Sequence, residues 1–196
     1  QFKTYAAVAG MRHGFSLRSR LEGNAFTPDG GKTEVRNEND KSYGTVSLRQ
    51  AIAKSINTAF VDMVSRTKNG PKAVVQAATD AGVPRGTGWD LNNRIALGTA
   101  EVSPLAQAGG YATIADGGKK VTPHVVDKVV DQSGKVLYHA PSPSEQTIEA
   151  DISHDVTYAL RSVVEEGTGR IVADFDHQVA GKTGTSGVGE GVTAAW

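Results

Sequence analysis

From Ser47 onward the apolar residues of this chain fall into helical register. Leu48, Ala51, Ile52, Ala59, Phe60, Met63 and Val64 recur at helical spacing, with Ser47 as an N-cap. Periodicity alone reads residues 47 to 66 as one amphipathic helix. Pro71 opens a second helix in its first turn and Gly82 closes it; Ser103-Pro104 opens a third that ends at Gly117-Gly118. A further helix runs from about Asp151 to Gly167, with Val156, Ala159, Leu160, Val163 and Val164 apolar. The first residues, QFKTYAAVAGMRHG, read as a helix already under way, with Phe2, Tyr5, Ala6, Ala9 and Met11 roughly on one face. Residues 22 to 45 are polar and aperiodic, a long surface loop. Strand signals come later. VVDKVVDQSGKVLYH is a hairpin turning at Asp131–Gly134, QVAGKTGTS alternates as a strand over about 178 to 186, and Val192 to Trp196 reads as another. The expected class is α+β, helices in the middle and antiparallel strands nearer the end. The opening helix has no cap before it and the last strand no turn after it, so the sequence reads as a fragment of one domain, residues 1 to 196, lacking segments on both sides.

Composition narrows the chemistry by exclusion. The 21 basic and 21 acidic residues balance, which leaves no electrostatic footprint for nucleic acid or an anionic membrane. Cysteine is absent, so disulfides and thiolate metal sites are excluded. No apolar run approaches the roughly 18 residues of a membrane span. The histidines, His13, His124, His139, His154 and His177, show no ligand spacing and no HExxH, so no metal or other cofactor is expected. A GxSxG nucleophile elbow is also missing.

The stretch VAGKTGTSG first suggests a phosphate loop. That motif needs a glycine five positions before its Gly-Lys pair, so that bare backbone can wrap a phosphate; here the position is Asp176. A lysine, serine and asparagine chemistry fits better. KTG on a strand is one of three elements of the penicillin-recognising serine enzymes, beside SxxK and S-x-N. Ser55-Ile56-Asn57 supplies the second; alone it is a weak signal, but Lys182-Thr183-Gly184-Thr185 follows some 125 residues later in the right order. The literal SxxK at Ser65–Lys68 follows S-x-N rather than preceding it and ends a helix, where the dipole disfavours a developing negative charge. Lys3 is the better partner, since positions i and i+3 share a helix face. Taken alone, Lys3 would be a snorkelling surface lysine. As a general base it must be neutral, which requires burial and a cationic neighbour; Lys182 is the candidate.

Longer stretches carry a resemblance. GTVSLRQAIAKSINTAFVDMV, RIALGTAEVSPLAQAGGYATIADGGKKVTPHVVDKVVDQSGKVLY and VVEEGTGRIVADFDHQVAGKTGTS together resemble the transpeptidase domain of penicillin-binding proteins, most closely the class A high-molecular-weight group. The resemblance implies the penicillin-binding protein and serine β-lactamase-like fold, a mostly antiparallel sheet of about five strands flanked by helices beside an all-helical region. It also breaks the helix at S-x-N, setting those side chains in a turn that faces the cleft. It implies a serine D,D-transpeptidase that cross-links peptidoglycan stem peptides ending in D-Ala-D-Ala and is acylated by β-lactams. The serine nucleophile would stand immediately before Gln1, with Lys3 its base, Ser55 relaying the proton to the departing D-alanine and Asn57 holding the donor amide. Lys182 would support the electrostatics, Thr183 and Thr185 would bind the terminal carboxylate along the Gly184 backbone, and the Thr185 N–H would form half of the oxyanion hole. The parent protein would be membrane-anchored at the extracytoplasmic face, with a glycosyltransferase domain possible before this one. D,D-carboxypeptidase or β-lactamase activity, and a non-catalytic β-lactam sensor or scaffold, stay open.

Overall fold

The protein is described by a computed structural model that covers residues 2–28, 31, 33–142, 145–187 and 193–195. Its centre is helix α1 (Lys3–Arg12), whose residues from Lys3 to Gly10 are buried on every face. The expected one-sided helix is therefore corrected. The reason is its small side chains: Ala6, Ala7, Ala9 and Gly10 admit neighbours on all sides, and α1 packs against α3 (Asn57–Arg66), α4 (Gly70–Asp80) and α6 (Ala150–Glu165). A β-carbon on Gly10 would sit 2.6 Å from Met63 Sδ. One on Gly110, in α5 (Pro104–Ala115), would meet Tyr5 Oη at 2.3 Å. Phe2 stacks edge-on against both Tyr5 and Trp89, closing the core at the start of α1. Each such fully buried large side chain contributes about 1.5–3 kcal/mol.

The expected break between residues 47 and 66 is present. Helix α2 (Leu48–Ala53) begins with a reciprocal capping box between Ser47 and Gln50, and α3 starts afresh at Asn57. The caps read for the later helices also hold: Pro71 lies in the first turn of α4, Ser103 accepts from Ala106 N–H at the start of α5, and Gly82 and Gly118 take positive φ beyond helix ends.

The long loop is corrected at both ends. Strand β1 (Arg20–Glu22) pairs antiparallel with β2 (Thr45–Ser47), and Phe26 bridges Val35 inside the excursion. Three-residue strands are too short to register as a period. The hairpin forms as read, β3 (Lys128–Val130) against β4 (Val136–His139) with a bulge. The strand expected over 178 to 186 is shorter: β5 (Thr185–Gly187) pairs with β6 (Thr193–Ala195), whereas residues 178 to 184 have no ladder partner among the described residues. Alternation supplies two faces, but a strand also needs a hydrogen-bonded neighbour. Of the final strand, Val192 and Trp196 lie outside the described residues. Pairing is antiparallel throughout, in three two-stranded ladders among the described residues. None of the described helices is long and apolar enough to cross a membrane.

Candidate active site

The turn between α2 and α3 is built by hydrogen bonds that end a helix. Ile56 N–H donates to Ala51 O at 3.0 Å and Ser55 N–H to Ile52 O at 3.2 Å, the paired bonds of a Schellman ending. The position between them demands left-handed backbone and is normally glycine. Here it is Ser55, at φ 55°. The turn thus carries a side chain where most helix ends have none, at a conformational cost of about 1–2 kcal/mol. Ile56, buried, anchors the turn, and Asn57 opens α3.

Lys3 reaches this turn from the first turn of α1. Its Nζ donates to Ser55 O at 2.7 Å, Ser55 Oγ at 2.9 Å and Asn57 Oδ1 at 2.6 Å. The side chain is 8% exposed and its Nζ lies 5.6 Å from the centre of the Phe60 ring. On the far side, Lys3 and Lys182 line one tightly packed crevice with Thr4, Ile52, Phe60 and Leu160. The 181–183 segment is docked from below: Gly181 N–H donates to Leu160 O of α6 at 3.3 Å, and the Thr183 hydroxyl bonds to that of Thr168. Thr168 in turn is fixed by its N–H on Ala53 O, the last residue of α2. A β-carbon on Gly167 would lie 2.1 Å from that same Ala53 oxygen, so only glycine permits the approach.

These three elements, a lysine on a buried helix, a Ser-x-Asn turn and a Lys-Thr-Gly segment, converge in one place, and the similarity to known proteins extends across the chain. The penicillin binding protein transpeptidase domain matches residues 1–195. The chain belongs to the penicillin-binding protein transpeptidase family. Penicillin-binding protein 1A of Mycolicibacterium smegmatis is 32% identical over 203 residues, 96% of this chain and 26% of the relative. That of Aquifex aeolicus is 34% identical over 162 residues, 82% of this chain and 22% of the relative. The structure of PonA1 from Mycobacterium tuberculosis in complex with penicillin V superposes with a TM-score of 0.82 at 30% identity, covering 96% of this chain and 52% of that one. The relatives are class A penicillin-binding proteins, and the fold is the one that family shares. The chain spans about a quarter of the length of these curated relatives.

Within this cluster the electrostatics are set by burial. Lys3 is pushed down from the ordinary lysine value to about 7, first by desolvation and then by the charge of Lys182, with Glu38 opposing. Lys182 is pushed down to about 8 by desolvation. An ammonium has three protons, and Lys3 places acceptors around all three. On losing one proton it keeps two donor bonds and gains a lone pair, so the same cage that holds the cation also orients the free amine.

Of the residues singled out in sequence, Lys3, Ser55 and Asn57 are in direct contact. Lys182 and Thr183 lie on the docked segment, where Lys182 Nζ donates to Thr183 O at 3.0 Å. Gly184 follows them at the edge of β5, and the Thr185 side chain lies outside what is described. Thr168 and Gly167 were not singled out. Their only sequence signal is a Gly-Thr-Gly turn after a helix, which does not reveal a contact with a threonine fifteen positions on.

Proposed function

We propose that this chain is part of a serine D,D-transpeptidase domain that cross-links peptidoglycan stem peptides through an acyl-enzyme and is acylated by β-lactams. The observation that carries the reading is the Lys3 amine, buried and within 2.9 Å of both Ser55 Oγ and Asn57 Oδ1, with a pKa near 7. The nucleophile is a serine three positions before Lys3, immediately preceding Gln1 in the parent chain. Neutral Lys3 takes the serine proton as Oγ bonds to the carbonyl carbon of the penultimate D-alanine. The tetrahedral intermediate then expels the terminal D-alanine, whose nitrogen receives a proton through Ser55. An acceptor amine attacks the ester, loses its own proton to the site and frees the serine, closing the cycle without redox change or metal.

Asn57 holds the donor amide, and Lys182 with the Thr183 and Thr185 hydroxyls receives the terminal carboxylate or its β-lactam counterpart. The Thr185 N–H supplies half of the oxyanion hole. A stem peptide lies along the Gly184–Thr185 edge by strand addition. The chain spans about a quarter of its curated relatives, so we place it in a longer parent protein, which as a class A member would be membrane-anchored at the extracytoplasmic face with a glycosyltransferase domain possible before this one. That PonA1 was solved with penicillin V supports β-lactam binding here. The test is labelled penicillin followed by peptide mass spectrometry on the full-length protein. An adduct on the serine before Gln1 is expected; no adduct, or one elsewhere, overturns the reading.

A further inference from the structure

Helix α3 begins at Asn57 and has no cap of its own: the residue before it, Ile56, is apolar and buried. The cap comes from elsewhere. Asn37, twenty-one residues earlier in the segment between β1 and β2, places its Oδ1 3.1 Å from Thr58 N and 3.2 Å from Thr58 Oγ1, both of which donate to it. Its Nδ2 donates to Gly23 O at 2.8 Å and to Lys41 O at 2.9 Å. Asn37 is 8% exposed, so one buried amide satisfies two donors of a helix start and two carbonyls of the segment around it.

The segment that carries Asn37 is itself tied down. Val35 is buried and bridges Phe26, and Arg94 donates to both Thr33 O and Glu34 O. Alongside it, Asn57 Nδ2 donates to Arg36 O at 3.4 Å. This matters because Ser55 stands in a strained left-handed conformation two residues before α3. A turn held in a sparsely populated conformation persists only when its surroundings over-determine it. The Schellman bonds fix its α2 side; on its α3 side the bonds of Asn37 to Thr58 and of the Arg36 carbonyl to Asn57 add to the Lys3 contact with Asn57 and the burial of Ile56.

We infer that Asn37 is a positioning residue of the transpeptidase site, capping α3 from a distant segment and thereby holding Ser55 and Asn57 where Lys3 meets them. It touches neither Lys3 nor Ser55 and acts only through Thr58 and the turn. The inference rests on the function proposed above. Without the cap the first turn of α3 frays, and a displacement of about 1 Å at Asn57 is enough for a large loss of rate.

The test uses the full-length protein and fluorescent penicillin. Asn37→Ala is expected to slow acylation about 10-fold or more, with a smaller weakening of binding before acylation because Asn57 also holds the donor amide. Asn37→Asp keeps the acceptor for Thr58 but sets a carboxylate oxygen against the Gly23 and Lys41 carbonyls, so it is expected to recover only part of the rate lost in Asn37→Ala. In an Asn57→Ala background, Asn37→Ala should cost less than it does alone, because one of the two site residues it positions is gone. Equal acylation by Asn37→Ala and wild type overturns the inference, as does the same loss in both backgrounds, which marks a general weakening of the fold. Hydrogen exchange reads the cap without catalysis: faster exchange in peptides spanning 54 to 60 is expected in Asn37→Ala, and unchanged exchange there overturns the inference. Absence of any penicillin adduct on wild type is a different result: it removes the proposed function and leaves exchange to decide whether Asn37 holds the turn.

Discussion

The amine of Lys3 lies 2.9 Å from the hydroxyl of Ser55, two side chains 52 positions apart that meet because the buried start of α1 abuts a helix-terminating turn. That geometry makes the protonation of Lys3 the switch of the site. A lysine near 7 is protonated below that pH and cannot take a proton from a serine. The acylation rate of the full-length protein is therefore expected to rise with pH through about 7, and to fall again above about 8 as Lys182 loses the charge proposed to receive a carboxylate. The two lysines interact, so the limbs belong to the pair. Lys3→Met should lower the rate about 100-fold or more across the range. A stopped-flow pH profile with fluorescent penicillin checks both; a flat profile between pH 6 and 8 rejects the role of Lys3.

Replacing Lys182 tests the coupling directly. Its charge helps keep Lys3 deprotonated, so Lys182→Gln removes a depressing influence. The acid limb of the acylation profile is expected to move to higher pH, while the weakened carboxylate site lowers the rate at every pH. An acid limb that stays in place shows the two lysines to be uncoupled.

Stability should carry the same signature. Both lysines have lowered folded-state pKa values, so between pH 7 and 10.5 the unfolded chain holds more protons at Lys3 than the native protein. Stability contributed by the site therefore increases with pH in that window; below it, the native state carries the full cost of a buried charge. Relative to Lys3→Met, wild type is expected to gain up to a few kcal/mol from pH 7 to 10. Urea midpoints of the two proteins measured at several pH values check this, and a pH-independent difference contradicts it.

How far the sequence led is clear from the same residues. Helices announced themselves because Leu48, Ala59, Phe60 and Val163 repeat with the helical period and Ser47, Pro71 and Gly82 mark ends. The site lysine was legible only as half of a spacing pattern, since nothing in QFKTYAAV reveals that α1 is buried on every side; that follows from what surrounds it. Asn37 was invisible for the opposite reason. It lies in a polar, aperiodic stretch, and its value comes from four hydrogen bonds to three residues, Gly23, Lys41 and Thr58. The strand through Lys182 was overextended because alternation reports two faces but not whether a neighbouring strand is there to pair.

Ser55 offers a separation of stability from activity. Its left-handed backbone is the place where a helix ending prefers glycine. Ser55→Gly and Ser55→Ala both remove the hydroxyl that Lys3 contacts, so both should lose acylation about 100-fold or more. They differ in backbone strain, about 1–2 kcal/mol in favour of glycine, and in the freedom of the unfolded chain, about 0.4–1 kcal/mol against it. Ser55→Gly is therefore expected to be more stable than Ser55→Ala by up to about 1 kcal/mol. Thermal unfolding beside acylation rates checks this. A Ser55→Ala variant more stable than Ser55→Gly would show that the turn is not strained.

Gly167 links the two halves of the site and should be intolerant of even one methyl group. Thr168 donates its N–H to Ala53 O, and a β-carbon on Gly167 would stand 2.1 Å from that oxygen, closer than any relaxed contact. The obstacle is backbone, so it cannot rotate aside as a side chain would. Gly167→Ala must push the turn away from α2, carrying Thr168 with it and breaking the hydroxyl pair with Thr183. The expected result is a loss of about 1–3 kcal/mol of stability together with weaker binding of β-lactam before acylation, because Thr183 belongs to the proposed carboxylate-binding side of the cleft. The Lys3–Ser55 side should be spared, so the pH midpoint of acylation is expected to stay near that of wild type. Saturation kinetics across pH separate these effects, and a shifted midpoint with unchanged binding would place the damage at Lys3 instead.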